Sequence, residues 1–222
     1  MNKSVIWDMD GVLIDTGPLH YQAWVKTLNG YSVEFSETFF RTTFGMNNQG
    51  VLTALFNNPS PALVTELSDK KEALFRELIR GNAQLLPGVL GWLDRLSQLG
   101  YTQAIASSAP PANIESLLTE LNIQHHFQAV VSGFDMPGKP DPTVFLLAAN
   151  QLGTPPARCV VVEDATAGVT GALRAGMRCI AVTTTNPAHA LSAANIVVKD
   201  LTYLPPDAFD QLLNQNQSSR NQ

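Results

Sequence analysis

The chain has 222 residues, a formal net charge of −5 and 45% hydrophobic residues, ample material for a buried core. No basic block stands out, which argues against nucleic acid as the main partner. No apolar run of about 18 residues occurs, which argues against a membrane span, and the N-terminus enters a strand with no signal-peptide layout.

Ser4 to Trp7 reads as a first strand that is apolar on both faces, as in the centre of a parallel sheet. It stops on Asp8 and Asp10, which in an extended strand would share a face. Gly11 then lets the chain turn sharply or a ligand approach the backbone. Helical spacing follows from Leu19 to Leu28, with Pro18 suited to the first turn and Asn29-Gly30 as the stop. Further helices are predicted from Glu37 to Phe44, from Asn47 or Asn48 to Phe56, and from after Pro61 to about Arg80. Residues 18–83 are therefore predicted to be all-helical.

The pattern then alternates. Helices are expected at Pro87–Leu99, Asn113–Leu121, Pro142–Leu152 and Val169–Ala175. Strands are expected at Thr102–Ala106, Ala129–Ser132, Cys159–Val162, Cys179–Val182 and Ile196–Val198, followed by a short helix and a disordered polar tail over Asn214–Gln222. This predicts an α/β fold, a doubly wound parallel, Rossmann-like sheet (1–17 and 84–222), with an inserted helical cap (18–83) over the carboxyl edge of the sheet. Cys159 and Cys179 lie in strand-like runs and read as buried reduced thiols, which points to the cytoplasm. His125-His126 has no third ligand nearby and reads as a solvated loop pair.

Open parallel sheets bind ligands outside the carboxyl ends of their strands. There this chain places Asp8 and Asp10, Ser107-Ser108, and Glu163-Asp164, with Lys139 in the rigid loop Gly138-Lys139-Pro140-Asp141-Pro142. Such a set suits phosphoryl transfer through an aspartyl-phosphate. Mg²⁺ needs oxygen ligands, for which the Asp8 and Asp164 carboxylates and the Asp10 carbonyl would serve. The Ser107 hydroxyl and Ser108 amide can hold phosphoryl oxygens, and Lys139 can neutralise charge in the transition state. Asp10 is placed to move protons.

The stretches Asp8–Thr16, Ile105–Ser108, Gly138–Pro142 and Val161–Gly168, with the helix Gly171–Met177, resemble the four ordered motifs of the haloacid dehalogenase superfamily. Within it the chain is similar to the helical-cap branch of phosphatases and β-phosphoglucomutase-like enzymes. The resemblance implies Asp8 as nucleophile, Asp10 as general acid/base, Ser107 and Lys139 as phosphate stabilisers, and Glu163 and Asp164 around Mg²⁺. It disfavours a dehalogenase, which lacks the second aspartate and works without metal. It also implies Thr16 as the hinge into the cap and His20 and Trp24 as substrate-facing, with a core role for Trp24 standing beside that. Lys71 fits a cap-lysine position of the same branch, although its place on the helix also suits a solvated face.

In β-phosphoglucomutases an arginine shortly after a cap glycine grips the second phosphate. The matching segment here is Phe44-Gly45-Met46-Asn47-Asn48-Gln49, with no arginine; Gly45 and Asn48 are candidate substrate contacts, and Arg41 or Lys71 could compensate. A Mg²⁺-dependent phosphatase of a small phosphorylated sugar or polyol is thus favoured over a mutase. A non-catalytic phospholigand binder fits less well, since Asp8, Asp10, Lys139 and Asp164 are all kept. The expected partner is the phosphorylated metabolite, without nucleic acid or membrane, and the chain is expected to be a monomer.

Overall fold

The structure, a computed structural model, describes residues 2–43 and 46–218. Among the described residues, four helices come first: α1 (Gly17–Leu28), α2 (Glu37–Thr43), α3 (Asn48–Phe56) and α4 (Pro61–Ile79). Five more follow: α5 (Val89–Gln98), α6 (Pro111–Leu121), α7 (Thr143–Gln151), α8 (Thr166–Arg174) and α9 (Ala208–Ser218). The strands are β1 (Ser4–Trp7), β2 (Thr102–Ser107), β3 (Ala129–Ser132), β4 (Cys159–Glu163), β5 (Arg178–Val182) and β6 (Ile196–Val198). They form one sheet in the order β3-β2-β1-β4-β5-β6, with every pairing parallel.

The chain divides into two compact units, Met1–Asp15 with Gln84–Gln222, and Thr16–Ala83. The division falls two residues before the expected one, because α1 already begins at Gly17 and the Thr16 carbonyl accepts from the His20 amide.

In the sheet unit, β1 and β4 are buried along their whole length. Successive side chains of β1 therefore feed two cores. Ile6 joins Val131, Phe145, Ala148, Val161, Val169 and Cys179 on one side. Trp7 faces the other, where Phe209 of α9 lies 6.4 Å from its ring and 5.1 Å from that of Trp92. The Trp7 indole donates to the buried Gln103 side chain at 3.0 Å, which satisfies two polar groups a dry core would otherwise penalise. Both cysteines are free and buried, and burial pushes the Cys159 thiol up to about 12.

Two expectations are corrected here. The stretch expected to be a disordered tail is helical through Ser218, because α9 is anchored upstream by buried Phe209, Leu212 and Leu213 and by Asp210, which accepts from Lys3 and Tyr101. His126 is not solvated: it is 5% exposed in a single 3₁₀ turn, with Nε2 3.7 Å from Asp94.

The helical unit has its own core of Trp24, Leu28, Val51, Leu52 and Leu67, ringed by Phe35, Phe39 and Phe40. Its helices start on side-chain caps where the sequence offers them: Asn47 accepts from the Gly50 amide at 2.8 Å and Ser60 from the Leu63 amide at 3.2 Å. Among the described residues, no helix is long and apolar enough to cross a membrane.

Candidate active site

Because every strand runs the same way, every carboxyl end opens on one edge. The order β3-β2-β1-β4-β5-β6 also puts β1 at the point where the chain switches direction of sheet growth. β1 ends at Trp7, paired with Ile105 on one side and Val162 on the other. Asp8 leaves the strand while its amide still donates to the Val162 carbonyl at 3.0 Å. The next four residues turn: amides of Leu13 and Ile14 return to the Met9 carbonyl, and Gly11 sits at φ +80°. Asp8 and Asp10 therefore occupy a loop rather than one strand face. Asp8 is 7% exposed and Asp10 is half-buried.

Lys139 comes in from the loop before α7, whose first turn is fixed by Asp141 accepting from the Thr143 amide at 2.9 Å. Its ammonium donates to Asp8 Oδ1 at 2.5 Å and to Glu163 Oε1 at 2.7 Å. The Lys139 ammonium also sits 5.0 Å from the Phe145 ring centroid. Burial alone would lower Lys139, but Asp8 and Glu163 outweigh it and hold the amine charged beyond the ordinary lysine range. The other Glu163 oxygen accepts from the amides of Asp164 and Ala165 at 3.0 and 3.1 Å. Both of its oxygens are thus engaged within the protein.

Oxygens of Asp8, Glu163 and Asp164 lie within 4.8 Å of one another. The Asp10 carboxylate is outside that group. Burial raises the Asp8 carboxyl well above its ordinary range; Lys139 pulls it back, and Glu163, Asp164 and Asp10 push it up again. Burial and the Glu163 charge likewise push Asp164 up to about 7, against opposing pulls from Thr185 and Lys139. Three carboxylates sharing space with the Lys139 ammonium leave a surplus of negative charge, and hard oxygen donors so disposed suit Mg²⁺.

Ser107 ends β2 fully buried and its hydroxyl accepts from the Ala109 amide at 3.1 Å; Ser108 beside it is exposed. A hydroxyl that accepts there can still donate to an anion.

The helical unit places the remaining expected residues. Thr16 is fully buried at the start of α1. The His20 ring stacks on Phe75 at 3.9 Å. Trp24 is 3% exposed and packs within the helical core. Lys71 is not on a solvated face: it is 4% exposed, bonded to Glu72 at 2.8 Å, with Phe75 and Trp24 rings 5.3 and 5.7 Å from its ammonium. Asn48 donates to the same Glu72 oxygen at 2.8 Å. Arg41 is exposed near the end of α2, and Gly45 lies outside the described residues.

Three participants were not foreseen. Glu72 joins Lys71 and Asn48. Thr185 donates to Asp164 Oδ2, and the Asn186 amide donates to the Asp164 carbonyl at 3.0 Å. Thr185 and Asn186 follow β5 at the same sheet edge, so the strand-end rule that picked out Ser107 and Asp164 also applied to Thr183-Thr184-Thr185-Asn186. Gly168 is the last of the support: a Cβ there would fall 1.9 Å from Glu163 Cδ. Alanine normally favours a helix, yet here the clash with a buried carboxylate outweighs propensity. Gly168→Ala is expected to lower stability by about 1–3 kcal/mol in urea denaturation. A more stable variant would show that α8 has room to shift.

The parallel sheet carries its charged cluster at the carboxyl edge, where open α/β enzymes place their active sites. The chain belongs to the haloacid dehalogenase-like hydrolase family, whose model matches residues 5–182. It is 29% identical over 203 residues to validoxylamine A 7′-phosphate phosphatase of Streptomyces hygroscopicus subsp. limoneus, covering 91% of this chain and 95% of that one. It is 30% identical over 211 residues to β-phosphoglucomutase of Bacillus subtilis, covering 91% of each. The fold matches a crystal structure of β-phosphoglucomutase from Clostridium difficile with a TM-score of 0.85 at 24% identity, over 98% of this chain and 100% of that one.

Proposed function

We propose that the protein is a Mg²⁺-dependent phosphatase of a small phosphorylated sugar or polyol, working through an aspartyl-phosphate, as a monomer in the cytoplasm. The observation that carries the reading is the buried Asp8–Lys139–Glu163 chain beside Asp164, at the sheet edge of a family member. The Asp8 and Asp164 carboxylates and the Asp10 carbonyl would hold the ion. Glu163, with both oxygens engaged, serves to hold Lys139 instead of binding the metal directly. Bound there, Mg²⁺ supplies charge neutralisation between carboxylate and phosphate.

An Asp8 oxygen attacks phosphorus, the bond from phosphorus to the sugar oxygen breaks, and Asp10 gives that oxygen its proton. Lys139 and Ser107 hold the equatorial oxygens as charge spreads over them. In the second half Asp10 takes a proton from water, whose oxygen attacks phosphorus and frees Asp8 and inorganic phosphate.

The mutase reading differs only in the acceptor. Against it stands the segment 44–49, which has no arginine, and in the helical unit Lys71 is bonded to the Glu72 carboxylate, which also accepts from the Asn48 amide. A phosphate-release screen over sugar and polyol phosphates, with and without Mg²⁺, tests the proposal. Mg²⁺-dependent phosphate release is expected. Conversion of β-glucose 1-phosphate to glucose 6-phosphate with a bisphosphate primer and no free phosphate would favour the mutase instead.

A further inference from the structure

We propose that Thr185 is a positioning residue that presets Asp164 for the metal, an inference that rests on the Mg²⁺ reading above. Thr185 lies in the loop after β5, separated by 21 positions from the carboxylate it holds. Its hydroxyl donates to Asp164 Oδ2. That oxygen is also pressed against the Gly11 backbone, where a Cβ would meet Oδ2 at 2.0 Å and Thr185 Oγ1 at 2.8 Å. Asp164 Oδ2 is therefore enclosed between a hydroxyl and a glycine, and the adjacent Asn186 holds the backbone carbonyl of the same residue at 3.0 Å. Asp164 is itself only 3% exposed.

With Oδ2 fixed in this way, Oδ1 is the oxygen left to offer a cation beside Asp8. A ligand already held in its binding rotamer loses no side-chain freedom when the ion arrives. The same geometry explains why position 11 takes glycine: the site needs both the left-handed turn and the absence of a side chain where Asp164 and Thr185 meet.

The test is direct calorimetric titration of the purified full chain with MgCl₂, without substrate. Thr185→Val, which keeps the shape and removes the hydroxyl, is expected to weaken Mg²⁺ binding about 10- to 100-fold. Thr185→Ser is expected to bind close to wild type. Phosphate release by the valine variant should return toward the wild-type kcat as Mg²⁺ is raised. Thr185→Ala only removes atoms and carries the same expectation should valine not be accommodated. Unchanged Mg²⁺ affinity in Thr185→Val and Thr185→Ala, or equal weakening in Thr185→Ser, overturns the positioning role alone. A wild-type chain that binds no Mg²⁺ overturns the metal reading and this role together.

Discussion

Asp8→Asn is expected to lower kcat for phosphate release by at least about 10⁴-fold while leaving the fold intact. An amide of nearly the same shape cannot act as the attacking carboxylate, so the covalent step is lost rather than slowed. Stability should change little, because two effects oppose. Burial already penalises the ionised Asp8 carboxylate, and a neutral side chain escapes that cost. Against this, the Lys139–Asp8 pair loses its charge, although Lys139 keeps Glu163 at 2.7 Å. Steady-state phosphate release alongside circular dichroism checks both halves. Turnover at the wild-type rate would show that Asp8 is not the nucleophile.

Lys139→Met is expected to harm both stability and activity. Methionine preserves the apolar stem near Phe145 but removes the ammonium from between Asp8 and Glu163. Two buried carboxylates then face each other and Asp164 without their cation, and breaking a buried ion pair from one side costs about 3–5 kcal/mol. The loss should show in urea denaturation at neutral pH without divalent cations, and added Mg²⁺ should recover more stability for this variant than for wild type. At saturating Mg²⁺, kcat should fall roughly 10²- to 10³-fold, the usual cost of one transition-state donor. A variant as stable as wild type and more than half as active would reduce Lys139 to a bystander.

These two outcomes rest on residues that the linear chain already exposes. Strand ends are legible because apolar runs stop abruptly on polar residues, as at Asp8, Ser107 and Glu163-Asp164. The loop Gly138–Pro142 is legible because its glycine and prolines punctuate two predicted elements. Helix starts are less so: α8 begins at Thr166 rather than at Val169, because its first turn is made of small residues chosen for closeness to Glu163 and carries no apolar period. α9 likewise continues into a stretch whose composition alone suggests a loose tail, since what holds it is Asp210 tied to Lys3 and Tyr101.

In the helical unit the residues were partly visible and their roles were not. Lys71 and Trp24 lie on a helical stripe in the sequence, but which side of α4 or α1 is covered depends on partners many positions away. Burial decides that Trp24 packs in the core, and the bond to Glu72 decides that Lys71 is a balanced charge instead of a solvated one.

The sequence by itself determined the parallel α/β architecture, the helical insertion, and the set Asp8, Asp10, Ser107, Lys139, Glu163 and Asp164 at the sheet edge. Strand and helix periods and strand-end chemistry are local properties, and parallel pairing gathers those ends without further information. Tertiary structure alone decided which oxygen meets which donor: that Glu163 holds Lys139, that Thr185 and Gly11 enclose Asp164, and that Glu72 binds both Lys71 and Asn48. The physical reason is range. A hydrogen bond depends on angstrom-scale placement of side chains that packing brings together from distant positions, and no local period records that placement.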